Sequence, residues 1–348
     1  MTPDDHDHGP GTAEDGLAAE FDLIIFDLDG VIYLIDQPIP AAVDAVDRLL
    51  RRGSPVAYAT NNASRRPGDV AALLSGMGVP ATDAQVLTSA GATAAMLAGR
   101  HPPGTKVLVV GAEALRQEIS AVGLIPVAGA DAAPAVVVQG YGPRIGWSDL
   151  AEACVAIRSG ATWVATNTDR TLPSKRGPLP GNGALVAALR TALGREPDQV
   201  VGKPAPGLFT TAARRAGADR PLVVGDRLDT DIEGANRAGM ASLLVLTGIS
   251  GAEELLGAPP VRRPTYVAAD LTGLFEQVDA VPITTATGAT ASWRAQRDAD
   301  GGLTLDGHGR TLDALRLLCR TAWQGEAPTR VEASGPAAGS ALRELGLA

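Results

Sequence analysis

Leu23-Ile24-Ile25-Phe26-Asp27-Leu28-Asp29-Gly30 decides how this chain is read. An unbroken apolar run of this length suits a strand buried on both faces. Asp27 and Asp29 follow at its carboxyl end, two residues apart, a spacing that turns both side chains to one face. Paired carboxylates in that position suit a hard metal ion and a phosphate. Gly30 permits a tight turn or a close backbone approach. Taken alone, the stretch reads equally well as a turn capped by two aspartates, so positions downstream must decide.

The downstream pattern is an alternation of strands and helices. Strands are expected at Phe21 to Phe26, Val56 to Thr60, Lys106 to Val110, Ala135 to Val138, Thr162 to Thr166, Pro221 to Val224 and Ser242 to Leu246. Between them lie helical runs, such as Ala41 to Arg52 stopped by Gly53 and one opened by Pro67. Alternation of this kind predicts an α/β fold with a doubly wound parallel sheet. After Pro282 the texture changes. Thr284 to Thr290 reads as a linker, Ser292 to Arg297 and Leu303 to Leu305 as a hairpin, and Leu312 to Trp323 as a helix.

Three further clusters follow predicted strands. Thr60-Asn61-Asn62 offers a hydroxyl and amides that hold phosphate oxygens or cap a helix. Gly202-Lys203-Pro204 puts a cation at a helix entrance, where the dipole also favours an anion, although most lysines are merely solvated. It is not a Walker loop, since neither Ser nor Thr follows the lysine. Gly225-Asp226 follows Leu222-Val223-Val224, with Asp231 at the start of the next helix; this loop reads as a magnesium site, a calcium site or an acidic surface turn.

In order, Asp-x-Asp-Gly, Thr-Asn-Asn, Gly-Lys-Pro and Gly-Asp-x-x-x-Thr-Asp resemble the four motifs of haloacid dehalogenase superfamily phosphatases, from Phe21 to about Gly248. The segment between Asp29 and Thr60 is short and that between Asn62 and Gly202 is long. This resembles type IIA, the p-nitrophenyl phosphatase and NagD-like branch, which includes glycerol-phosphate phosphatases. Ala165-Thr166-Asn167-Thr168-Asp169 and Pro180-Gly181-Asn182-Gly183 look like that branch's cap signatures. The resemblance implies a Rossmann-like core over 21–100 and 196–282, an inserted α/β cap over 101–195, a disordered leader over 1–20 and a small C-terminal α+β appendage over 283–348. It implies Asp27 as nucleophile, Asp29 as general acid and base, and Mg²⁺ held by Asp27, the Asp29 carbonyl and Asp226 with Asp231 behind them. Thr60, Asn61 and Lys203 would hold phosphate. Asn167, Asp169 and Arg170 would face the substrate from the cap, and caps of this branch often pair two copies.

The substrate is expected to be a small phosphate ester, with glycerol 3-phosphate first. The cap loop Asp169 to Pro173 has no aromatic residue, so a planar ring gains little there. A nucleotide or pyridoxal phosphate phosphatase is the alternative enzyme, and a catalytically retired binding protein working through the appendage is the alternative class. The appendage carries no motif residue and is expected to be dispensable for chemistry.

The bulk numbers fit this reading. The chain has 348 residues, enough for more than one domain, and only 3% are aromatic, so cores must be built from Ala, Val and Leu. A net charge of −9 without a basic stripe argues against nucleic acid. No run is long and apolar enough to span a bilayer. Cys154 and Cys319 are far apart and read as reduced thiols, consistent with the cytoplasm.

Overall fold

The computed structural model describes residues 16–277, 283 and 292–348. Its large sheet has six parallel strands. Their order is Tyr266–Ala268, Ala241–Val245, Pro221–Gly225, Leu23–Phe26, Val56–Thr60 and Val86–Thr88. The run that opens the argument therefore lies inside the sheet. Its residues alternate between two cores: Ile24 and Phe26 pack with Tyr58 and Val224 on one face, Leu23 and Ile25 with Ala57 and Val223 on the other. Helices cover both faces, as parallel sheets require. Leu23–Phe26 pairs with Pro221–Gly225 on one side and Val56–Thr60 on the other. The carboxyl ends of these three strands open at the switch point of the strand order, where α/β folds bind ligands.

A second parallel sheet is inserted between Val86–Thr88 and Lys203. Its strand order is Gln199–Val200, Thr162–Ala165, Val136–Gln139, Lys106–Val110 and Ile125–Val127. Gln199–Val200 pairs with Thr162–Ala165, so this sheet reaches past the expected boundary at residue 195. That strand is two residues long, too short to show a period in sequence. Two small hairpins face each other across the gap between the sheets. One is Tyr33–Leu34 with Gln37–Pro38; the other is Thr171–Leu172 with Leu179–Pro180.

The third sheet bears out the hairpin expectation. Trp293–Arg297 runs antiparallel to Leu303–Gly307, and helix Thr311–Ala322 follows. Sequence reading missed its last strand, Val331–Ser334, and the helix Pro336–Glu344. The linker expected at Thr284 to Thr290 lies outside the described residues, as do residues 1–15 of the expected leader.

One expectation needs correction. Leu17–Glu20 is a helical turn, not part of a disordered leader: Leu17 is fully buried and its N–H donates to the Glu276 carbonyl at 2.8 Å. The C-terminal unit, for its part, packs on the large-sheet unit. Leu315, Leu318 and Trp293 share one apolar cluster with Leu228, Ile232, Leu244, Leu255 and Val267 of the large-sheet unit. The amphipathic face of Thr311–Ala322 carried that information, but sequence alone did not say what it packs on.

Candidate active site

At the carboxyl ends of the large sheet the side chains form one buried charged knot. Asp27, Asp226 and Asp231 each offer an oxygen within 4.8 Å of the others. Lys203 Nζ donates to Asp27 Oδ1 at 2.5 Å, to Asp231 Oδ1 at 2.6 Å and to the Ala59 carbonyl at 3.1 Å. All four of these charged residues are buried. Asp231 is fixed further by the Arg227 N–H, which donates to its Oδ2 at 3.2 Å. Asp226 Oδ2 accepts from the Ile249 N–H at 2.8 Å, while its Oδ1 is buried without a hydrogen-bond partner. A buried carboxylate oxygen left unpaired is costly unless a cation meets it.

The electrostatics follow from this crowding. Burial raises Asp27 above the usual carboxylate range, and the neighbouring Lys203 opposes that without cancelling it. Burial pushes Asp226 up to about 8 and Asp231 to about 6, with their mutual repulsion adding to Asp226. Asp29 also rises to about 6 through burial, partly offset by Lys203 and Arg65. Burial works against the charge on Lys203, but Asp231 and Asp27 beside it outweigh that and hold the ammonium protonated. Gly30, at φ 85°, is required here: a Cβ on it would come within 2.3 Å of Asp226 Oδ2.

Above the knot lies a cavity of about 410 Å³ between the two sheets. Asp27, Asp29, Thr60, Asn61, Lys203 and Asp226 line it from the large sheet; Asn167, Asp169 and Asn182 line it from the inserted unit. Asp231 sits behind them, bonded to Lys203. The structure does not bring in Arg170. It is exposed and does not line the cavity: it sits at a bend in the chain, while Asp169 before it and Thr171 to Pro173 after it take the inward positions.

Sequence reading missed Tyr33, Arg65, Tyr141 and Arg227, which also line the cavity. Tyr33 follows the aspartate pair closely in an aromatic-poor chain, a signal that was available. Arg227 lies between Asp226 and Asp229 and forms a two-pronged bond to Asp229 at 3.0 Å, which masks its reach toward the cavity. The 169–173 loop has no ring, as read from the sequence, but Tyr141 lines the cavity from another cap loop.

Comparison with known proteins agrees with this geometry. Residues 24–125 match the family model of haloacid dehalogenase-like hydrolases, and 200–274 match a second HAD-hydrolase-like model. Residues 290–347 match a GCN5-related N-acetyltransferase like domain. The chain is 45% identical to a D-glycerol 3-phosphate phosphatase of Mycobacterium tuberculosis, over 95% of this chain and 96% of that one. It is 38% identical to a 5'-nucleotidase of Bacillus subtilis, over 71% of this chain and 95% of the relative. Among solved structures, the magnesium complex of a glycerol phosphate phosphatase from Mycobacterium tuberculosis superposes with a TM-score of 0.89 at 45% identity, covering 96% of this chain and 100% of that one. A 4-nitrophenylphosphatase from Thermotoga maritima gives 0.69 at 32% identity, covering 74% and 98%. With its strand-end carboxylates, its buried lysine, these family-model matches and a relative 45% identical over 95% of its length, the chain belongs to the haloacid dehalogenase-like hydrolases.

Proposed function

We propose that this chain is a magnesium-dependent phosphate monoester hydrolase whose substrate is a small phosphorylated polyol, glycerol 3-phosphate first. The observation that carries it is the knot itself: Lys203 bridging Asp27 and Asp231, beside an Asp226 oxygen that is buried and unpaired. That donor set fits a hard dication. Asp27, the Asp29 carbonyl and Asp226 would hold it, with Asp231 orienting Lys203 behind. Bound magnesium supplies the positive charge that Lys203 alone does not, favouring ionised Asp27 and offsetting the phosphate dianion.

Asp27 then attacks phosphorus in line and becomes an aspartyl-phosphate. Thr60, the backbone at Asn61 and Lys203 hold the phosphoryl oxygens as charge moves among them. Asp29, raised to about 6 by burial, retains a proton to give the leaving alkoxide, then takes one from water in the second step. Asn167 and Asp169 offer polar partners for substrate hydroxyls. Tyr141 keeps a nucleotide substrate in play, as does the 5'-nucleotidase relative.

The proposal divides the chain into a core over 21–100 and from about residue 201 to 282, with a cap between that ends on strand Gln199–Val200, working in the cytoplasm. Two free thiols, Cys154 and Cys319, support that compartment. Among the described residues no helix is long and apolar enough to cross a membrane. Two copies would pair through the cap, where Trp147 is 83% exposed on the same helix as the exposed Val155. The test of function is Asp27→Asn, which keeps shape and removes the nucleophile. We expect kcat on p-nitrophenyl phosphate to fall by ~10³-fold or more, and chelator to abolish wild-type turnover. Near-normal turnover in either arm overturns the reading. For substrate, kcat/KM for glycerol 3-phosphate should exceed that for nucleoside monophosphates and pyridoxal phosphate by at least about tenfold, or ~1.4 kcal/mol.

A further inference from the structure

We propose that the Asn61 side chain is a latch that couples closure of the cap to the placement of Lys203. This rests on the reading of Lys203 and Asp27 as catalytic, and gives the Asn61 carboxamide a task separate from the backbone contact to phosphate.

The geometry is specific to an amide. Asn61 Oδ1 accepts from the Lys203 N–H at 2.8 Å, and Asn61 Nδ2 donates to the Lys203 carbonyl at 3.1 Å. The side chain thus pairs with the lysine's main chain as a neighbouring strand would. Asp offers no donor for the carbonyl, and Ser or Thr cannot span both groups. The second Nδ2 hydrogen goes to the inserted unit, to Asp169 Oδ1 at 3.1 Å. The cap answers from the other side: Asn167 Nδ2 donates to the Asn61 carbonyl at 2.6 Å and is itself held by Asn182 Nδ2, which donates to the Asn167 carbonyl at 2.7 Å. Close by, the Gly202 N–H donates to the Thr166 carbonyl at 2.8 Å. A Cβ at Gly202 would stand 2.5 Å from Asn61 Oδ1 and 2.6 Å from that carbonyl, so the sequence keeps the space clear.

Asn61 is 8% exposed and Asn167 3%. Only with the cap down are both amide hydrogens of Asn61 bonded to protein. The contacts then run from Asp169 through Asn61 to Lys203, and from Lys203 Nζ to the nucleophile at 2.5 Å. Asn61 is therefore a positioning residue: it sets the lysine's main chain, and the cap sets it. The consequence is chemical economy. A lysine aligned only under a closed cap leaves the nucleophile poorly activated while water fills the cavity.

A donor–acceptor swap tests this in the full chain. Asn61→Asp sets a carboxylate against both Asp169 and the Lys203 carbonyl. We expect kcat/KM to fall ~100-fold or more, and the Gly202 and Lys203 amides to exchange hydrogen faster without substrate. Asp169→Asn keeps an oxygen that accepts from Asn61, so the Gly202 and Lys203 amides should stay as protected as in wild type; because Asp169 also faces the substrate, this variant's own kcat/KM is the ceiling for the pair. The pair Asn61→Asp with Asp169→Asn restores complementarity with the roles reversed. Its kcat/KM should recover at least about tenfold over Asn61→Asp, short of wild type because the Lys203 carbonyl still lacks its donor, and amide protection should return. A double variant no more active and no better protected than Asn61→Asp overturns the latch. If Asn61→Asp does not fold, Asp169→Ala carries the test: faster exchange at Gly202 and Lys203 supports the latch, and wild-type protection overturns it. Hydrogen exchange is read without substrate, so it judges the latch even if Asp27→Asn has shown the phosphatase reading wrong.

Discussion

The inserted unit and the C-terminal unit meet the large-sheet unit through seams of different character. The first is divided: beside the cavity of about 410 Å³ it is polar, with Asn61 bonded to Asn167 and Asp169, while behind it Ala63, Ala90, Ala94 and Leu97 pack on Val107, Leu115 and Ile119 of the inserted unit. The second is apolar: Trp293, Leu315 and Leu318 pack on Leu255, Val267, Leu228 and Ile232. Even its charged member is spent on structure, since Arg316 is 2% exposed and donates to the Val267 carbonyl at 3.0 Å. Polar contacts can be exchanged for contacts with water at modest net cost, whereas parting an apolar seam exposes its whole area. At its cavity side the cap can therefore part from the core at less cost than the C-terminal unit can, while the apolar cluster around Ala94 and Leu97 stays as a pivot behind it. Leu228 and Ile232 lie in the turn that carries Asp229 and Asp231, so the fixed seam backs the acidic loop from behind.

The largest expected effect breaks the fixed seam. Leu318 is fully buried in the shared cluster and does not line the cavity. Leu318→Ala should cost about 2–5 kcal/mol of stability. At 20 °C the folded fraction should keep wild-type kcat. Calorimetry and turnover on one preparation check both parts. An unchanged melting temperature would mean that the C-terminal unit is only tethered, an arrangement that the linker read at Thr284 to Thr290 could suggest.

That suggestion shows where sequence reading stops. The strand-end chemistry was legible because each motif is local: a buried apolar run, then its polar residues, with geometry fixed by the strand. Asp27, Asp29, Thr60, Lys203 and Asp226 all line the cavity as that logic predicts. What failed was non-local. Nothing near Leu17 says that Glu276 receives its N–H, and nothing near Leu318 says that Leu255 lies opposite. Tyr141 enters the cavity from the loop after cap strand Val136–Gln139, whose contacts the sequence alone left undecided. Gln199–Val200 is too short for any period to reveal, yet it completes the inserted sheet.

A smaller effect separates the seams by pH. Asp226 titrates at about 8 and Asp29 and Asp231 at about 6, each raised by burial above an ordinary 3.8. A carboxylate with a raised folded value contributes stability that is full below about pH 4 and lost as pH rises through the folded value. In chelator, the melting temperature should therefore fall between pH 5 and pH 9, while added Mg²⁺ should restore more at the alkaline end. The apolar seam has no such dependence, so the shift caused by Leu318→Ala should be similar at both pH values. A metal-free protein that gains stability over this window would contradict the buried, proton-retaining knot.

The smallest expected effect concerns an ion pair that joins the two hairpins over the cavity mouth. Lys175 Nζ, from the cap hairpin, lies 2.6 Å from Asp36 Oδ2 of the hairpin that follows Gly30. It looks like a clasp, and it would be the obvious candidate for holding the cap shut. Both side chains are largely exposed, at 72% and 49%, so water and salt screen their attraction, and ordering two flexible chains offsets much of what remains. The buried amides around Asn61 have no such competition from solvent. If those amides govern closure, Lys175→Ala should leave kcat/KM within about twofold of wild type, and added salt should change the variant and the parent alike. A tenfold loss in Lys175→Ala, reproduced in the parent by raising ionic strength, would move control of the cap from the buried network to its rim. The polar seam would then be a consequence of closure and not its cause.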